Sequence, residues 1–390
     1  MAHGVEVYDP KSKEIYPAVA VALSGGDIFQ EACWDVVSLA AMTKLELRAF
    51  HYQLEFREPF GIAHGVRSTT DTIYVQASFM DTFGYGEAAL PPYLGYDPAA
   101  LVKDFHSYFP AEMSSGDAIR DTMAKLNLPG NLLPKPLKTA VDIAMYDLFG
   151  KLTGKPVRSI FGIQDAAPVL CSYTLGISSV EVQQSKVESA DDFKLFKLKL
   201  GGTNDRERLD AFIASGHSLF CVDANQAWKL VEEALEWMKL LKGMGCLFVE
   251  QPLPVSLVAQ YEALFKSAPL PVILDESIQS VQDILDLQSV CHGVNVKLVK
   301  AGGLEPAVAM VRQANKSGLK VLVGCMSEST CGAMAAAQLS PWADWVDLDG
   351  PRLIKNDPFS GAVYANGSLL LSPDSGTGAL PENKSVFGRG

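Results

Sequence analysis

The chain has 390 residues, 48% of them hydrophobic and 20% charged, and a formal charge of −12 at neutral pH. That length and composition fit a globular enzyme with more than one core and exclude a disordered or fibrous protein. The acidic excess has no compensating basic block, which excludes nucleic acid as a partner, and no apolar run reaches the roughly 18–20 residues needed to cross a bilayer.

Residues 1–41 stand apart. They include Asp9, Glu14, Asp27, Glu31 and Asp35, unlike an acid-poor transit peptide, and no basic start precedes an apolar core as in a secretory signal. They are expected to form a poorly ordered N-terminal extension, and the absent signals imply a cytoplasmic location. Seven cysteines form no CxxC pair, which suits a reducing compartment and disfavours structural zinc.

From 42 to 165 the pattern is strand-rich and then helical, as expected of an α+β capping domain. Two antiparallel strands are expected in LELRAFHYQLEF and TIYVQASFMDTFGYGEA, and Pro136 to Leu152 has apolar positions at helical spacing. From 166 to 354 the chain alternates strand and helix. Eight strand candidates follow one another: VLCSYTLG, FKLKLG, LFCVDAN, LFVEQP, PVILDE, GVNVKL, KVLVGC and WVDLDG. The economical fold is α/β, a (β/α)8-type modified TIM barrel. Residues 355–390 are turn-rich and are expected to return to the capping domain.

Five ionisable residues close strands in this second half: Lys199, Asp223, Glu250, Asp275 and Lys297, with gaps of 24, 27, 25 and 22 residues. Each gap is about one strand, one helix and two loops, so a barrel would gather all five at its C-terminal mouth. Three carboxylates so close stay charged only with a cation between them, and a hard divalent ion takes oxygen ligands. Side-chain parity agrees. Lys197 shares the inward face with Lys199, Asn295 with Lys297, and Asp347 with Asp349.

Such a set can do proton-transfer chemistry. A carboxylate substrate chelated to a divalent metal becomes electron-poor at its α-carbon, and removing the α-proton gives an enediolate whose charge the metal stabilises. A lysine acts as base only if its pKa falls well below about 10.4. Burial, the metal and a second ammonium, here Lys197 beside Lys199, all push it down. Lys199 and Lys297 lie on opposite sides of the mouth, so one can remove a proton from one face and the other return one to the opposite face. The blander accounts are that Asp275 caps a helix, that Lys300 is solvated, and that Glu328 holds a helix start or orients Lys297.

The residues also carry a resemblance. From about Met42 onward the chain resembles the enolase superfamily, muconate-lactonising group, and within it the dipeptide epimerases. The motifs are Lys197-Leu198-Lys199, Asp223-Ala224-Asn225-Gln226, Val249-Glu250-Gln251-Pro252, Asp275-Glu276-Ser277, and Lys297 with the loop Lys300 to Gly303. The resemblance implies that Asp223, Glu250 and Asp275 bind Mg²⁺ and that Lys199 and Lys297 are the acid/base pair. Asp347-Leu348-Asp349 resembles the pair that holds a dipeptide's α-ammonium, and Thr174, Lys197 and Cys325 are implied as further substrate contacts. The implied activity inverts the C-terminal residue of an L,L-dipeptide of Ala-Xaa type by two-lysine proton transfer, and the chain's partners are expected to be that dipeptide and, in a homo-oligomer, further copies of itself.

In Ala-Glu epimerases a loop arginine reads the glutamate. Its place here falls at His64-Gly65, with Arg67 two positions beyond, which leaves the C-terminal side chain open. An N-acylamino-acid racemase, an o-succinylbenzoate synthase or a cycloisomerase would keep the metal and lysines but give Asp347 and Asp349 no ammonium to bind. A histidine base is disfavoured because neither His217 nor His292 ends a strand. A Schiff-base aldolase would use one lysine without metal, and a non-catalytic descendant would have no reason to keep three repelling carboxylates.

Overall fold

The computed structural model describes residues 6–9, 14–17, 44–63, 65–110, 112–113, 118–128 and 131–387. Glu6–Asp9 and Glu14–Pro17 pair antiparallel; the rest of the expected N-terminal extension lies outside the described residues. A meander follows, in which β1 (Leu45–Ile62) pairs with β2 (Gly65–Phe79), and β2 with β3 (Thr82–Leu90). The register of β1 against β2 shifts between Glu55 and Phe60, so the far end of the hairpin bends away as an arm.

Helix α1 (Lys135–Thr153) lies across this sheet and is buried nearly all round. It approaches β3 so closely that a Cβ on Gly86 would meet the Ala140 carbonyl oxygen at 2.0 Å, and one on Gly84 the Ala144 carbonyl oxygen at 2.2 Å. Only glycine fits at that crossing. Buried Asp147 of α1 accepts hydrogen bonds from the backbone N–H of Tyr85 and Thr377 and from the Lys151 ammonium. Phe359 and Phe387 of the C-terminal segment pack edge-on or tilted against Tyr74 and Tyr85. The end of the chain thus packs on its strand-rich first part.

The eight expected parallel strands are all present. They are β4 (Ser172–Leu175), β5 (Leu195–Lys199), β6 (Phe220–Asp223), β7 (Val249–Glu250), β8 (Val272–Leu274), β9 (Gly293–Lys297), β10 (Lys320–Gly324) and β11 (Trp345–Asp347). They pair in sequential order, and a parallel bridge between Cys171 and Val346 joins the last strand to the first. Cys221, Phe248, Ile273 and Leu322 form a small apolar cluster, with Trp345 packed on it. Each lies two residues before a strand-end position: Asp223, Glu250, Asp275, Gly324 and Asp347. Residues two apart share a face, so the barrel interior is plugged by apolar side chains below and lined by charged ones at its C-terminal end.

Gly86→Val drives a branched side chain into the α1 backbone. It is expected to lower the unfolding free energy by about 3 kcal/mol, the upper part of the overpacking range, as read by urea denaturation.

Candidate active site

Asp223, Glu250 and Asp275 end three consecutive strands, and their carboxylate oxygens all lie within 4.8 Å of one another, fully buried. Four ammonium groups meet them. Lys197 Nζ lies 2.8 Å from Glu250 Oε2, 2.7 Å from Asp347 Oδ2 and 3.3 Å from Asp223 Oδ2. Lys199 Nζ donates to Asp223 Oδ2 at 2.6 Å, and Lys297 Nζ to Asp275 Oδ2 at 2.8 Å. The fourth corrects an expectation. Lys300 is not solvated but buried, and its ammonium donates to the Asp275 side chain and to the Asn295 carbonyl. A single helical turn, Leu298–Ala301, follows β9, and residues three apart on such a turn face the same way.

Other bland alternatives fail on geometry. The Asp275 oxygens meet Lys297 and Lys300, and the next helix, Val281–Leu287, is capped by the Ser280 hydroxyl instead. The helix Thr330–Ala337 is capped by the Ser329 hydroxyl rather than by Glu328.

Burial and charge oppose each other throughout this site. Burial and the Asp223 charge push the Glu250 carboxyl up to about 8. Burial also acts on Asp223 and Asp275, but Lys199 with Lys197, and Lys297 with Lys300, overcome it and hold both below the usual carboxylate range. Burial lowers Lys197 and Lys297, yet the surrounding carboxylates outweigh it and hold both ammoniums above their ordinary range. The sequence argument expected lysines pushed down. For Lys197 and Lys297 the facing carboxylates reverse the sign, while burial keeps Lys300 below its ordinary range.

The donors fit a hard divalent cation. Three buried carboxylates converge, and Glu250 Oε2 accepts no hydrogen bond, meeting the Lys197 ammonium only as an ion pair. On the opposite wall Asp347 accepts hydrogen bonds from the Ser172 hydroxyl at 2.6 Å and from Lys197 at 2.7 Å, and Asp349 accepts the Thr174 backbone N–H. Burial and the neighbouring Asp347 charge raise Asp349 to about 7.

Above these groups lies a cavity of about 680 Å³. Lys199, Asp275, Lys297, Thr174, Cys325, Asp347 and Asp349 all line it. Lys197 does not; it is buried beneath the floor, bridging the two acidic groups. The first part of the chain supplies the roof, including Arg67 and Tyr93. Arg67 escaped the sequence reading as a placed residue, because only the β1–β2 arm's bend decides where it points. Its guanidinium faces the Phe56 ring at 6.0 Å, and its Nη1 is buried without a partner among the described residues.

Comparison with known proteins agrees with this geometry. The enolase C-terminal domain-like family model matches residues 181–382. The chain is 36% identical over 340 residues to an L-Ala-D/L-Glu epimerase of Bacteroides thetaiotaomicron, covering 86% of this chain and 88% of that one. It is 34% identical over 328 residues to an L-Ala-D/L-amino acid epimerase of a Maribacter species, covering 84% and 96%. Among solved structures it resembles the dipeptide epimerase from Cytophaga hutchinsonii complexed with Mg and D-Ala-L-Val. That similarity has a TM-score of 0.78 at 25% identity, over 89% of this chain and 98% of the other.

A second pair of carboxyls sits where β3 meets the barrel. Glu87 accepts hydrogen bonds from Ser329 and the Gly332 N–H, and Glu328 accepts one from the Met326 N–H. A Cβ at Gly332 would touch both side chains, so the two carboxyls are neighbours. Burial raises Glu87 to about 7; burial and then Glu87 raise Glu328 to about 8. The folded chain therefore keeps protons that the unfolded chain loses near 4.5. Stability from this pair is greatest at low pH and falls as pH rises toward the folded values. Glu328→Gln is expected to remove part of that fall, gaining on the wild type by up to about 1.4 kcal/mol per pH unit between about pH 5 and 8. Urea midpoints across that range measure it.

Proposed function

The chain belongs to the enolase superfamily, and from that premise we propose that it is a Mg²⁺-dependent dipeptide epimerase of Ala-Xaa substrates. The observation that carries this reading is the pairing of two arrangements on one cavity. Lys199 and Lys297 stand on strands four apart in an eight-stranded ring, flanking the three carboxylates, and Asp347 and Asp349 face them from β11 and its end.

Asp223, Glu250 and Asp275 would hold the cation. A cation there would supply positive charge against the negative charge that builds on the substrate's carboxylate as the α-proton leaves, and would offset the carboxylate field around Lys297. Asp347 and Asp349 receive the α-ammonium of the N-terminal residue, which places the C-terminal α-carbon between the two amines. One amine removes the α-proton and the other delivers a proton to the opposite face, so configuration inverts. Asn295 donates to Glu250 at 2.9 Å and Lys300 to Asp275, which orients the two carboxylates. Lys197 ties Asp347 to Glu250 and so fixes the spacing between the ammonium end and the carboxylate end. Arg67 brings a cation with an unused donor to the roof, which supports an acidic C-terminal side chain such as glutamate.

Incubation of the chain with L-Ala-L-Glu and Mg²⁺ in D₂O is expected to give a one-dalton mass gain with inversion, lost on EDTA treatment. Lys199→Ala or Lys297→Ala should each lower inversion by about 10²–10⁴-fold, and an active double variant would overturn the two-lysine mechanism. Asp349→Asn should cripple turnover of dipeptides but spare N-acylated amino acids; the reverse result would favour an N-acylamino-acid racemase. Arg67→Met should raise KM about 10- to 100-fold for L-Ala-L-Glu, the range of a lost charged hydrogen bond, while leaving L-Ala-L-Leu little changed.

A further inference from the structure

A second cavity, of about 220 Å³, lies between β1, Tyr173 of β4, helix α2 (Val180–Glu188) and the turn Gly350–Leu353. Its α2 wall consists of Val182, Ser185, Lys186 and Ser189, positions i, i+3, i+4 and i+7, which form one helix face. Val182, Ser185 and Ser189 on that face are exposed to solvent. Its most buried member is a lysine, only 9% exposed. Among the described residues no carboxylate, carbonyl or hydroxyl pairs with that ammonium, whereas every other lysine of comparable burial meets an oxygen. Glu58, on the cavity rim, and Asp349 contribute only through-space attraction.

The rest of the lining completes a pattern. Arg57 and Arg352 also face the cavity, and Glu58 is its one acid. Arg352 is pinned by an ion pair to Asp192 and lies over the rings of Phe193 and Tyr364, which holds its guanidinium in place with donors to spare. Phe56, Phe60, Tyr173 and Leu353 supply apolar walls. The stem of Lys186 is buried while its ammonium opens on the cavity with no protein oxygen among the described residues to meet it. A pre-set guanidinium beside it matches the planar or tetrahedral oxygens of a carboxylate or phosphate.

We propose that this cavity is an anion site, binding a carboxylate or phosphate group on Lys186 with Arg352 and Arg57 flanking it. Burial holds the Lys186 ammonium below its ordinary range, and an anion beside it would oppose that shift. The cavity shares Phe60 and Leu353 with the cavity above the metal ligands and backs onto the strand whose Thr174 holds Asp349. The anion therefore has two sources: a free small molecule, or an acidic side chain on the substrate's N-terminal residue.

Calorimetric titration of the full, Mg²⁺-loaded chain separates them, and because it reads binding it does not depend on the proposed turnover. The probes are inorganic phosphate, succinate, L-Asp-L-Leu and L-Ala-L-Leu at fixed ionic strength. Saturable binding of phosphate or succinate, weakened at least tenfold in Lys186→Met and kept in Lys186→Arg, establishes a site for a free anion. Binding of L-Asp-L-Leu tighter than L-Ala-L-Leu, with the difference erased in Lys186→Met, assigns the site to the substrate's own side chain. Lys186→Met removes an unpaired charge and should melt no lower than the wild type, and Arg57→Gln, at an exposed position, should weaken the same binding. Equal binding of every probe by wild type and Lys186→Met, or none by either, overturns the proposal.

Discussion

Asp223, Glu250 and Asp275 bring three carboxylates to neighbouring strand ends in a region closed to water, and that arrangement persists only where positive charge is brought to meet it. Much of the rest of the barrel mouth follows from this constraint. Lys197, Lys199, Lys297 and Lys300 arrive from two strands and one helical turn, and each is directed at a carboxylate. Asn295 takes the remaining oxygen of Glu250, and the Asn225 N–H takes one of Asp223. The apolar plug two residues below keeps the charges in low dielectric, where their interactions are strong. A site balanced in this way has a carboxylate set and an amine set whose protonation states depend on each other. That mutual dependence is what a cation can shift.

The barrel alone leaves the cavity open. The antiparallel part supplies the roof through Arg67 and Tyr93, and it is anchored by contacts that leave little freedom. Helix α1 is wedged against β3 by two glycines, and its Asp142 accepts the N–H of Leu304, which opens the helix Leu304–Lys316. Glu87 of β3 reaches into the start of the helix Thr330–Ala337. The strands that carry the charged cluster and the residues that roof the cavity therefore sit on separate parts of the fold, joined by buried polar contacts. Loops and arms of this kind can vary without disturbing the acidic triad.

Two carboxylates opposite the triad give the cavity a polarity. One end suits a carboxylate bound through a cation, and the other suits an ammonium. A free dipeptide has those two groups at its ends. Lys197 lies underneath both and couples them, so the charge state at one end is felt at the other through a single side chain.

Much of this was legible in the sequence because the signals were periodic. Strand-end residues at barrel spacing, and inward parity at Lys197, Asn295 and Asp347, depend only on the repeat of a strand and the length of a strand–helix unit. Those properties belong to the local chain, so the eight strands, the acidic triad and its facing lysines could be placed without coordinates. What the sequence did not hold was direction in space. Lys300 reads as a surface lysine until one helical turn folds it back onto Asp275. Lys197 reads as a substrate contact until Glu250 and Asp347 close over its ammonium. Arg67 falls near the expected specificity position in the sequence, but only the folded arm sets its guanidinium over Phe56 at the cavity. Each outcome rests on which distant segments meet, and burial by such segments sets both the partners and the charge of an ionisable group. Only the tertiary structure could decide that.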